Sequence, residues 1–332
     1  MTIPEISNTG KLMELINGFR VSRIILTAYE LGIFNFLKGK PSPSVEVARL
    51  LGSHPRATDR LMNALVALGL LKKSEGLFSN TGFSERCLVS GSPEFLDGIS
   101  HVAHLWHTWN TLTPAVAAGT SVIMDESIGE RSEEWRESFI AAMHQRGIQQ
   151  AREVAAVLSL PSQGKILDVG GGSGVFAFSF IHAKPELQAV VFDLPNIIPI
   201  TQRYIQSAGL ENFVTTMEGD YLEDDFGHDY QLVFMSAIIH INSPEENERL
   251  IRRGADALRK GGQLVILDHV MNSDRTEPAI GAIFAINMLV GTDHGDTYTI
   301  NEISSWMEMA GLTEVWLQTT PSGIQLMSAL KK

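Results

Sequence analysis

The stretch Lys165-Ile-Leu-Asp-Val-Gly-Gly-Gly-Ser-Gly-Val175 decides the fold of this chain. An apolar run leads through Asp168 into four glycines, and an apolar, helix-like segment follows from Val175 to Ile181. This order predicts a buried parallel strand, a tight turn and the start of a helix. Glycines in such a turn let the backbone bend sharply and let a ligand approach the bare main chain.

A second apolar run, Gln188 to Phe192, ends on Asp193, nineteen residues after Gly174. An acid at the end of the second strand is placed to accept hydrogen bonds from ribose hydroxyls. The glycines of the first turn follow the spacing D-x-G-x-G-x-G, which differs from the G-x-G-x-x-G of dinucleotide-binding turns. The pattern therefore predicts a nucleoside-bearing ligand and disfavours an NAD-dependent oxidoreductase.

The catalytic half alternates predicted strands with helical patterns, which predicts a doubly wound parallel sheet. The tail, from 313 to 329, reads as a hairpin that closes one edge of that sheet. Such a hairpin fits a methyltransferase better than a dehydrogenase. The predicted fold class is α/β, with strands at 165–169, 188–193, 213–217, 231–236 and 263–268.

The front of the chain shows helical apolar spacing over 11–37, 44–51 and 55–70, followed by short extended pieces around Glu75-Gly76. Helices followed by a small hairpin indicate a winged-helix-like domain, for which DNA binding is the obvious function. Residues 55–70, however, are apolar where a helix that reads bases would be polar. We therefore predict that this domain forms a surface between subunits.

The composition restricts which binding partners and which cellular compartment are expected. The chain has 332 residues and a net charge of −12, which argues against a nucleic-acid partner. Its single cysteine, Cys87, suits a reducing cytosol. The N-terminus lacks the features of a secretory signal, and no apolar run approaches the roughly 20 residues that span a bilayer. We expect a cytoplasmic protein that acts without a membrane.

A helical stretch over 94–160 contains three histidines spaced three apart, at 101, 104 and 107. Because no cysteine or acid accompanies them at ligand spacing, we predict no metal site. Trp106 lies in the same stretch, and Phe139 and Met143 recur further on at helical spacing. For these side chains, core packing and the wall of an apolar substrate pocket stay open as alternatives.

Ligands of open α/β sheets bind beyond the carboxyl ends of the strands. The residues that the predicted strands place there are Asp168, Gly170, Gly172 and Gly174 after the first, Asp193 and Leu194 after the second, Gly219, Asp220 and Tyr221 after the third, Ser236 and His240 after the fourth, and Asp268 after the fifth.

His240 is the most informative of these residues. Ser243 and Glu246 form a predicted capping box, with Pro244 at the first helical position. His240 then lies on the loop between a strand and its helix, at the ligand crevice. The ordinary pKa of histidine suits proton abstraction near neutral pH, so His240 is a candidate general base. A purely structural histidine is the alternative.

These motifs resemble the SAM-dependent (S-adenosylmethionine-dependent) O-methyltransferases of the caffeic-acid type and the bacterial small-molecule tailoring enzymes. The likeness covers nearly the whole chain. The matching pieces are the winged-helix-like front, Phe139-Ile-Ala-Ala-Met143, Leu167-Asp-Val-Gly-Gly-Gly-Ser-Gly174, Val191-Phe-Asp-Leu-Pro195, Gly219-Asp220, His240 and Gly261-Gly262.

The resemblance implies SAM as cofactor, with Asp193 on its ribose, Asp220 on its adenine and Tyr221 against the ring. It implies that His240 deprotonates a hydroxyl of a small, partly apolar acceptor, without a metal. Residues 1–93 would form a winged-helix-like dimerisation domain of a homodimer, 94–160 a helical connector that contributes to the substrate pocket, and 161–332 the catalytic domain. The expected acceptor contacts are Trp106, Phe139, Met143, Asn287 and Met288.

The chain also departs from that family. Relatives of the plant type support the base with two glutamates; here Asp268 stands for the first, and the second, near Thr297, is lost. The base could be oriented by Asp268 alone or by Asn287, Asp293 or His294. A thiol or carbon acceptor needs less help from a base, so S- or C-methylation stays an alternative to O-methylation. A non-catalytic, SAM-sensing winged-helix regulator is the alternative from another class.

Overall fold

A computed structural model describes residues 5–96, 98–123 and 132–332. Their contacts divide the chain after Leu105 into two compact units. The three-part division expected from the sequence stays a prediction. Within the described ranges, no helix is long and apolar enough to cross a bilayer.

The N-terminal unit is mostly helical. Gly32, in the left-handed conformation with φ 74°, ends the first long helix at the predicted point. Residues around Glu75 form the turn of an antiparallel hairpin, as the sequence predicts. Its core includes the fully buried Phe34, Met62 and Phe78. The elements are α1 (Thr9–Glu30), α2 (Ile33–Phe36), β1 (Ser42–Pro43), α3 (Ser44–Leu50), α4 (Pro55–Ala67), β2 (Leu71–Ser74), β3 (Leu77–Asn80) and α5 (Gly82–Cys87), with the sheet order β1-β3-β2.

Helix α1 exposes an unusual number of large apolar side chains in the single chain. Ile16 is 55% exposed and Phe19 is 52% exposed. A contiguous apolar surface of this kind marks an interaction site in a folded protein. Leu12 and Leu15 share this apolar face of α1 with Ile16 and Phe19, whereas the exposed Met13 and Val21 lie on other sides of the helix.

Three helices link the front of the chain to the large sheet: α6 (Ile99–Trp109), α7 (Leu112–Ala118) and α8 (Glu133–Val157). Helix α8 starts where the Ser132 side chain accepts a hydrogen bond from the Trp135 N–H. Such a cap satisfies one of the backbone donors that a helix start leaves free. The predicted helical stretch over 94–160 thus consists of separate helices.

The C-terminal unit contains a seven-stranded sheet with the order β6-β5-β4-β7-β8-β10-β9. Strands β4 to β8 pair in parallel, whereas β10 pairs antiparallel with both β8 and β9. The predicted parallel sheet and its closing hairpin are therefore confirmed. The strands are β4 (Gly164–Val169), β5 (Leu187–Asp193), β6 (Val214–Glu218), β7 (Tyr230–Ser236), β8 (Leu258–Leu267), β9 (Leu312–Thr319) and β10 (Gln325–Lys331).

Apolar side chains cover both faces of this sheet, as expected of parallel strands. On one face Val169, Phe192 and Val233 are buried, and on the other Val191 and Phe234 are buried. The predicted capping box of Ser243 and Glu246 is present at the start of α11. The helices on the sheet are α9 (Val175–Ala183), α10 (Ile198–Ala208), α11 (Pro244–Ala257), α12 (Ala279–Gly291) and α13 (Ile300–Met309).

Strand β8 begins five residues before its predicted start at 263 and directly follows α11. Leu258 already pairs with Tyr230, and the register then shifts before Leu232 pairs with Gln263. A Cβ on Gly262 would lie 2.9 Å from the Tyr230 carbonyl oxygen, so only glycine allows this close approach. Gly261 and Gly262 thus lie inside β8, at the point where its pairing with β7 is irregular. The sequence had predicted that both glycines precede the strand.

Candidate active site

The glycine-rich turn between β4 and α9 is tied to the end of β5. The Gly170 N–H donates to the Phe192 carbonyl at 2.8 Å. The Gly172 N–H donates to Asp193 Oδ2, also at 2.8 Å. Gly170, Gly172 and Gly174 all have positive φ, which other residues adopt only with strain. The D-x-G-x-G-x-G spacing thus follows from the backbone path of the turn.

The turn also lacks room for side chains. A Cβ on Gly170 would lie 2.7 Å from Ile238 Cδ1, and a Cβ on Gly174 would lie 2.9 Å from the Phe178 ring. A Cβ on Gly171 would lie 2.8 Å from both Val191 and the Asp168 carboxyl carbon. The bare main chain is therefore a requirement of the packing, and it leaves backbone groups at the surface on which a nucleoside ligand is expected.

Helix α8 contacts the glycine-rich turn and the start of α9 at three positions, spread over about two turns of the helix. A Cβ on Gly172 would lie 3.3 Å from Ile140 Cδ1. His144 Nδ1 and Ser173 Oγ are 2.9 Å apart. A Cβ on Gly147 would lie 2.7 Å from a methyl group of Val175, so the helix packs closely there. These contacts were not predicted from the sequence, although residues 140, 144 and 147 share one helix face.

The other side of the turn is held by α10, because Thr201 Oγ1 donates to the Gly172 carbonyl at 2.6 Å. Tyr204, one turn further on, has its ring 4.4 Å from that of His144. Burial lowers the pKa of His144, which favours its neutral form. Two helices therefore fix the turn from outside, and neither contact was predicted.

Two acids lie under and beside the turn. Asp168 is buried, and neither carboxylate oxygen has a hydrogen-bond partner among the described residues. Burial raises the pKa of Asp168 to about 7, because the nearby Ala177 N–H, which falls short of hydrogen-bond geometry, opposes burial only in part. Asp193 accepts from Gly172 and, through Oδ1, from the Leu194 N–H at 2.8 Å. Burial raises the pKa of Asp193 to about 6.

The segment after β6 joins this edge of the sheet. The Gly219 N–H donates to the Asp193 carbonyl at 3.0 Å. Asp220 Oδ1 accepts from the Leu222 N–H at 2.8 Å. The Tyr221 hydroxyl donates to Asn242 Oδ1 at 2.8 Å. Ser236 ends β7 at the same edge, half-buried. The structure thus brings the predicted cofactor residues to the ends of neighbouring strands.

His240 lies in a short 3₁₀ turn, Ile239–Ile241, directly before α11. Its Nδ1 is 2.9 Å from both oxygens of Asp268, which follows β8. The side chain of His240 is 12% exposed and that of Asp268 is 2% exposed. Asp268 Oδ1 also accepts from the His269 N–H at 2.8 Å. Of the residues considered for orienting the base, Asp268 is therefore the one in contact with it.

Asp268 stays ionised in this environment. Burial alone would raise its pKa, but the charge and hydrogen bond of His240 and the His269 N–H outweigh burial and hold the pKa below its ordinary value. A carboxylate only accepts hydrogen bonds, so His240 Nδ1 must carry a proton. While the ring is neutral, its Nε2 atom keeps a free lone pair and can accept a proton, and the ring that results carries the charge that stabilises Asp268.

Phe284 on α12 lies between two histidines. Its ring is edge-on to that of His240, with centroids 4.8 Å apart, and tilted against His269 at 4.3 Å. Burial lowers the pKa of His269, and the charges of His240 and Arg146 lower it further while Asp268 opposes them. Neither His269 nor Phe284 was predicted, since contacts between an aromatic helix residue and a distant loop leave no local pattern.

The predicted acceptor contacts divide between two helices. On α12, Asn287 Oδ1 accepts from the Trp109 indole N–H at 2.8 Å, and Met288 is buried. On α8, the Phe139 ring is stacked on that of Trp135 at 5.1 Å, and Met143 is half-buried. The remaining predicted contact, Trp106, is half-buried on α6.

The loop between α12 and α13 packs against the turn that carries the base. A Cβ on Gly295 would lie 2.5 Å from the His240 carbonyl oxygen. Asp293 and His294 are exposed, whereas Thr297, where the second supporting glutamate is lost, is buried. The loop therefore packs against the main chain of His240 and leaves no room for a side chain at position 295.

Comparison with known proteins identifies the family. A profile described as an O-methyltransferase domain matches residues 109–313, and one described as an O-methyltransferase dimerisation domain matches 13–90. The chain belongs to the O-methyltransferase family.

Two curated relatives from Streptomyces span nearly the same length. The 3-hydroxy-5-methyl-1-naphthoate 3-O-methyltransferase of S. sahachiroi is 30% identical over 92% of this chain and 89% of its own. The tetracenomycin polyketide synthesis 8-O-methyltransferase of S. glaucescens is 30% identical over 92% of both chains. Among solved structures, human N-acetylserotonin methyltransferase in complex with SAM has a TM-score of 0.79 at 24% identity, covering 100% of this chain and 99% of that one.

SAM is the cofactor of this methyltransferase family, so the predicted cofactor is confirmed. The residues of this O-methyltransferase fit SAM in two respects. The buried, unpartnered carboxylate of Asp168 calls for a cationic or hydrogen-bond-donating group, and SAM carries an ammonium and a sulfonium. The crowded glycines leave main-chain groups bare for the amino-acid and ribose parts.

We predict that Asp168→Asn changes both the pH dependence of stability and cofactor affinity. The folded-state pKa of Asp168 lies above its ordinary value, so the folded protein holds a proton that the unfolded chain releases. The ligand-free protein should therefore lose stability as pH rises from about 4 to about 7. The variant should lose part of this slope, which thermal unfolding across that range would measure.

In calorimetry, the same variant should bind S-adenosylhomocysteine at least about tenfold more weakly, because a charged hydrogen-bond partner is lost. Asp256→Asn, at an exposed position of α11, serves as the matched control. A pH slope and an affinity equal to those of the wild type would contradict the assignment of Asp168.

Proposed function

We propose that this O-methyltransferase transfers a methyl group from SAM to a hydroxyl of a small aromatic acceptor, with His240 as the general base. The contact between His240 Nδ1 and both oxygens of Asp268 carries the proposal. It fixes the tautomer in which Nε2 accepts a proton. The relatives that act on a hydroxylated naphthoate and on a tetracenomycin polyketide support an aromatic acceptor.

In the proposed mechanism, His240 Nε2 takes the proton of the acceptor hydroxyl. Asp268 holds the imidazole through Nδ1 and stabilises the imidazolium that forms, without taking its proton. SAM supplies an electrophilic methyl on a positively charged sulfur. Asp193 and Asp220 would bind the ribose and the adenine, and Asp168 would face the cationic part of the cofactor. No metal is needed for these roles.

The acceptor site that we propose is lined from two helices. Phe284 and Met288 of α12 and Phe139 and Met143 of α8 are apolar groups suited to the faces of an aromatic ring. Asn287 supplies a polar contact: its oxygen is used by Trp109, so its amide N–H groups are the atoms left to bond an acceptor oxygen.

A carbon acceptor is the second candidate. It is favoured by the buried Thr297, which replaces the second supporting carboxylate that the resemblance implies. A relative described as an L-tyrosine C(3)-methyltransferase is 24% identical over 82% of this chain. The carboxylate of Asp268 favours oxygen, because it assists removal of a hydroxyl proton.

We also propose that the protein works as a homodimer through its N-terminal unit, in the cytosol and without a nucleic-acid partner. The dimerisation-domain match and the exposed apolar face of α1 support the dimer. Met62 and Leu65 of α4 are fully buried, so the apolar side chains of that helix pack in the core of the N-terminal unit. The net charge of −12 supports the absence of a nucleic-acid partner, and the single cysteine supports the cytosolic location.

His240→Gln should lower kcat by about two to four powers of ten, because general-base help is lost. S-adenosylhomocysteine should still bind with unchanged affinity. The assay would supply SAM with a labelled methyl group and a panel of hydroxynaphthoates, phenols, thiols and carbon acceptors, and mass spectrometry would locate the methyl.

His228→Gln, at an exposed position before β7, is the matched control and should keep full activity. Full turnover by His240→Gln would rule out His240 as the base. A methyl found on carbon would replace the O-methylation proposal with the second candidate.

Phe19→Glu in the apolar face of α1 should convert the dimer to a monomer, because a charge cannot be buried there without a partner. Light scattering coupled to gel filtration would measure the mass. Val116→Glu, at an exposed apolar position of α7, is the matched control and should stay dimeric. A dimer that survives Phe19→Glu would place the interface elsewhere.

A further inference from the structure

Three side chains form a chain of hydrogen bonds that ends at the turn carrying His240. The Tyr221 hydroxyl donates to Asn242 Oδ1 at 2.8 Å. Asn242 Nδ2 donates to Asn247 Oδ1 at 3.1 Å, and Asn247 Nδ2 donates to the Ile239 carbonyl at 2.9 Å. Both asparagines are buried, at 3% and 0% exposed, so these bonds are shielded from competition with water.

The direction of this chain is fixed by its last member. A backbone carbonyl can only accept, so Asn247 must present its amide N–H₂ to Ile239 and its oxygen to Asn242. Asn242 must then present its own N–H₂ to Asn247 and its oxygen to Tyr221. The Tyr221 hydroxyl must therefore donate inward. Burial, with the nearby charges of Asp220 and Glu246, raises the pKa of Tyr221 and keeps that proton in place.

The inward bond leaves the Tyr221 oxygen with acceptor capacity only. Towards a ligand it can accept a hydrogen bond from an N–H or O–H group, such as those of a nucleoside, but it cannot donate one. Tyr221 directly follows Asp220, at the edge where the cofactor is expected, and Asp193 is close enough to influence its pKa. The chain thus starts on the cofactor side and ends next to the base.

The far end of the chain holds the main chain on both sides of His240. The Ile239 carbonyl precedes His240, and Asn242 follows Ile241. The Tyr298 hydroxyl donates to the Asn242 carbonyl, and the Asn242 N–H reaches the Ile239 carbonyl at 3.4 Å. A change at Asn242 or Asn247 therefore acts on the segment that aims the imidazole at Asp268.

We propose that Tyr221, Asn242 and Asn247 are positioning residues that orient His240 through this one-directional chain of hydrogen bonds, so that a nucleoside held at Tyr221 sets the base for reaction. This proposal rests on the proposed role of His240. Tyr221→Phe removes the hydroxyl, and with it both the inward donor and the acceptor offered to a nucleoside, but it leaves the ring, so the fold and most of the cofactor contact should persist.

The first test needs no acceptor. In protein saturated with S-adenosylhomocysteine, proton NMR would follow the hydrogen-bonded Nδ1–H of His240, identified by its loss in His240→Gln. The signal should shift or broaden in Tyr221→Phe. It should stay unchanged in Tyr230→Phe, the matched control, which removes a buried hydroxyl that donates to the Phe226 carbonyl at 2.8 Å. An unchanged signal in Tyr221→Phe would overturn the proposal.

The second test is a double-mutant cycle in kcat. At saturating SAM, Tyr221→Phe should lower kcat about tenfold, as expected for a misplaced catalytic group, while S-adenosylhomocysteine affinity falls by no more than the loss of one hydrogen bond allows, about tenfold. In the His240→Gln background it should cause no further loss. Equal losses in both backgrounds, or a loss of affinity alone, would overturn the positioning role. Full activity of His240→Gln alone would instead overturn the role of His240 as the base.

Discussion

The carboxylate of Asp193 holds together the edge of the sheet on which the site is built. One oxygen accepts from the Gly172 N–H of the first turn, and the other caps its own turn at Leu194. Its carbonyl accepts from Gly219, after the third strand of the parallel series. A single residue therefore ties three successive strand ends together. These bonds join the glycine-rich turn and the segment of Gly219 and Asp220 to the end of β5.

Three carboxyl groups at the site, those of Asp193, Asp168 and Asp268, differ in how far their surroundings stabilise the charged form. Burial raises the pKa of Asp193 to about 6 and that of Asp168 to about 7, so two carboxyls are held in an environment that disfavours their charge. Asp268, equally enclosed, keeps its charge because His240 and the His269 N–H stabilise it. The protein thus leaves Asp168 poorly compensated where the cationic part of the cofactor is expected, and it compensates Asp268, which orients the base.

Much of this architecture could be predicted from local sequence. Strand, turn and helix around Asp168 follow from apolar runs broken by glycines, and the capping box of Ser243 places His240 on a loop. The helix residues that hold the site, Ile140 and Thr201, could not be predicted in the same way. They lie about 30 residues on either side of Gly172, and only tertiary packing brings them to the turn. Phe284 and Trp109 were missed for the same reason.

The role of Asp193 at the cofactor edge can be tested by calorimetric titration of the wild type and of Asp193→Asn with S-adenosylhomocysteine. We expect the wild type to bind and the variant to bind at least about tenfold more weakly, because Asn has one acceptor oxygen where two N–H groups must be satisfied. Equal binding by both proteins, or no binding by a folded wild type, would contradict the assignment of this edge as the cofactor site.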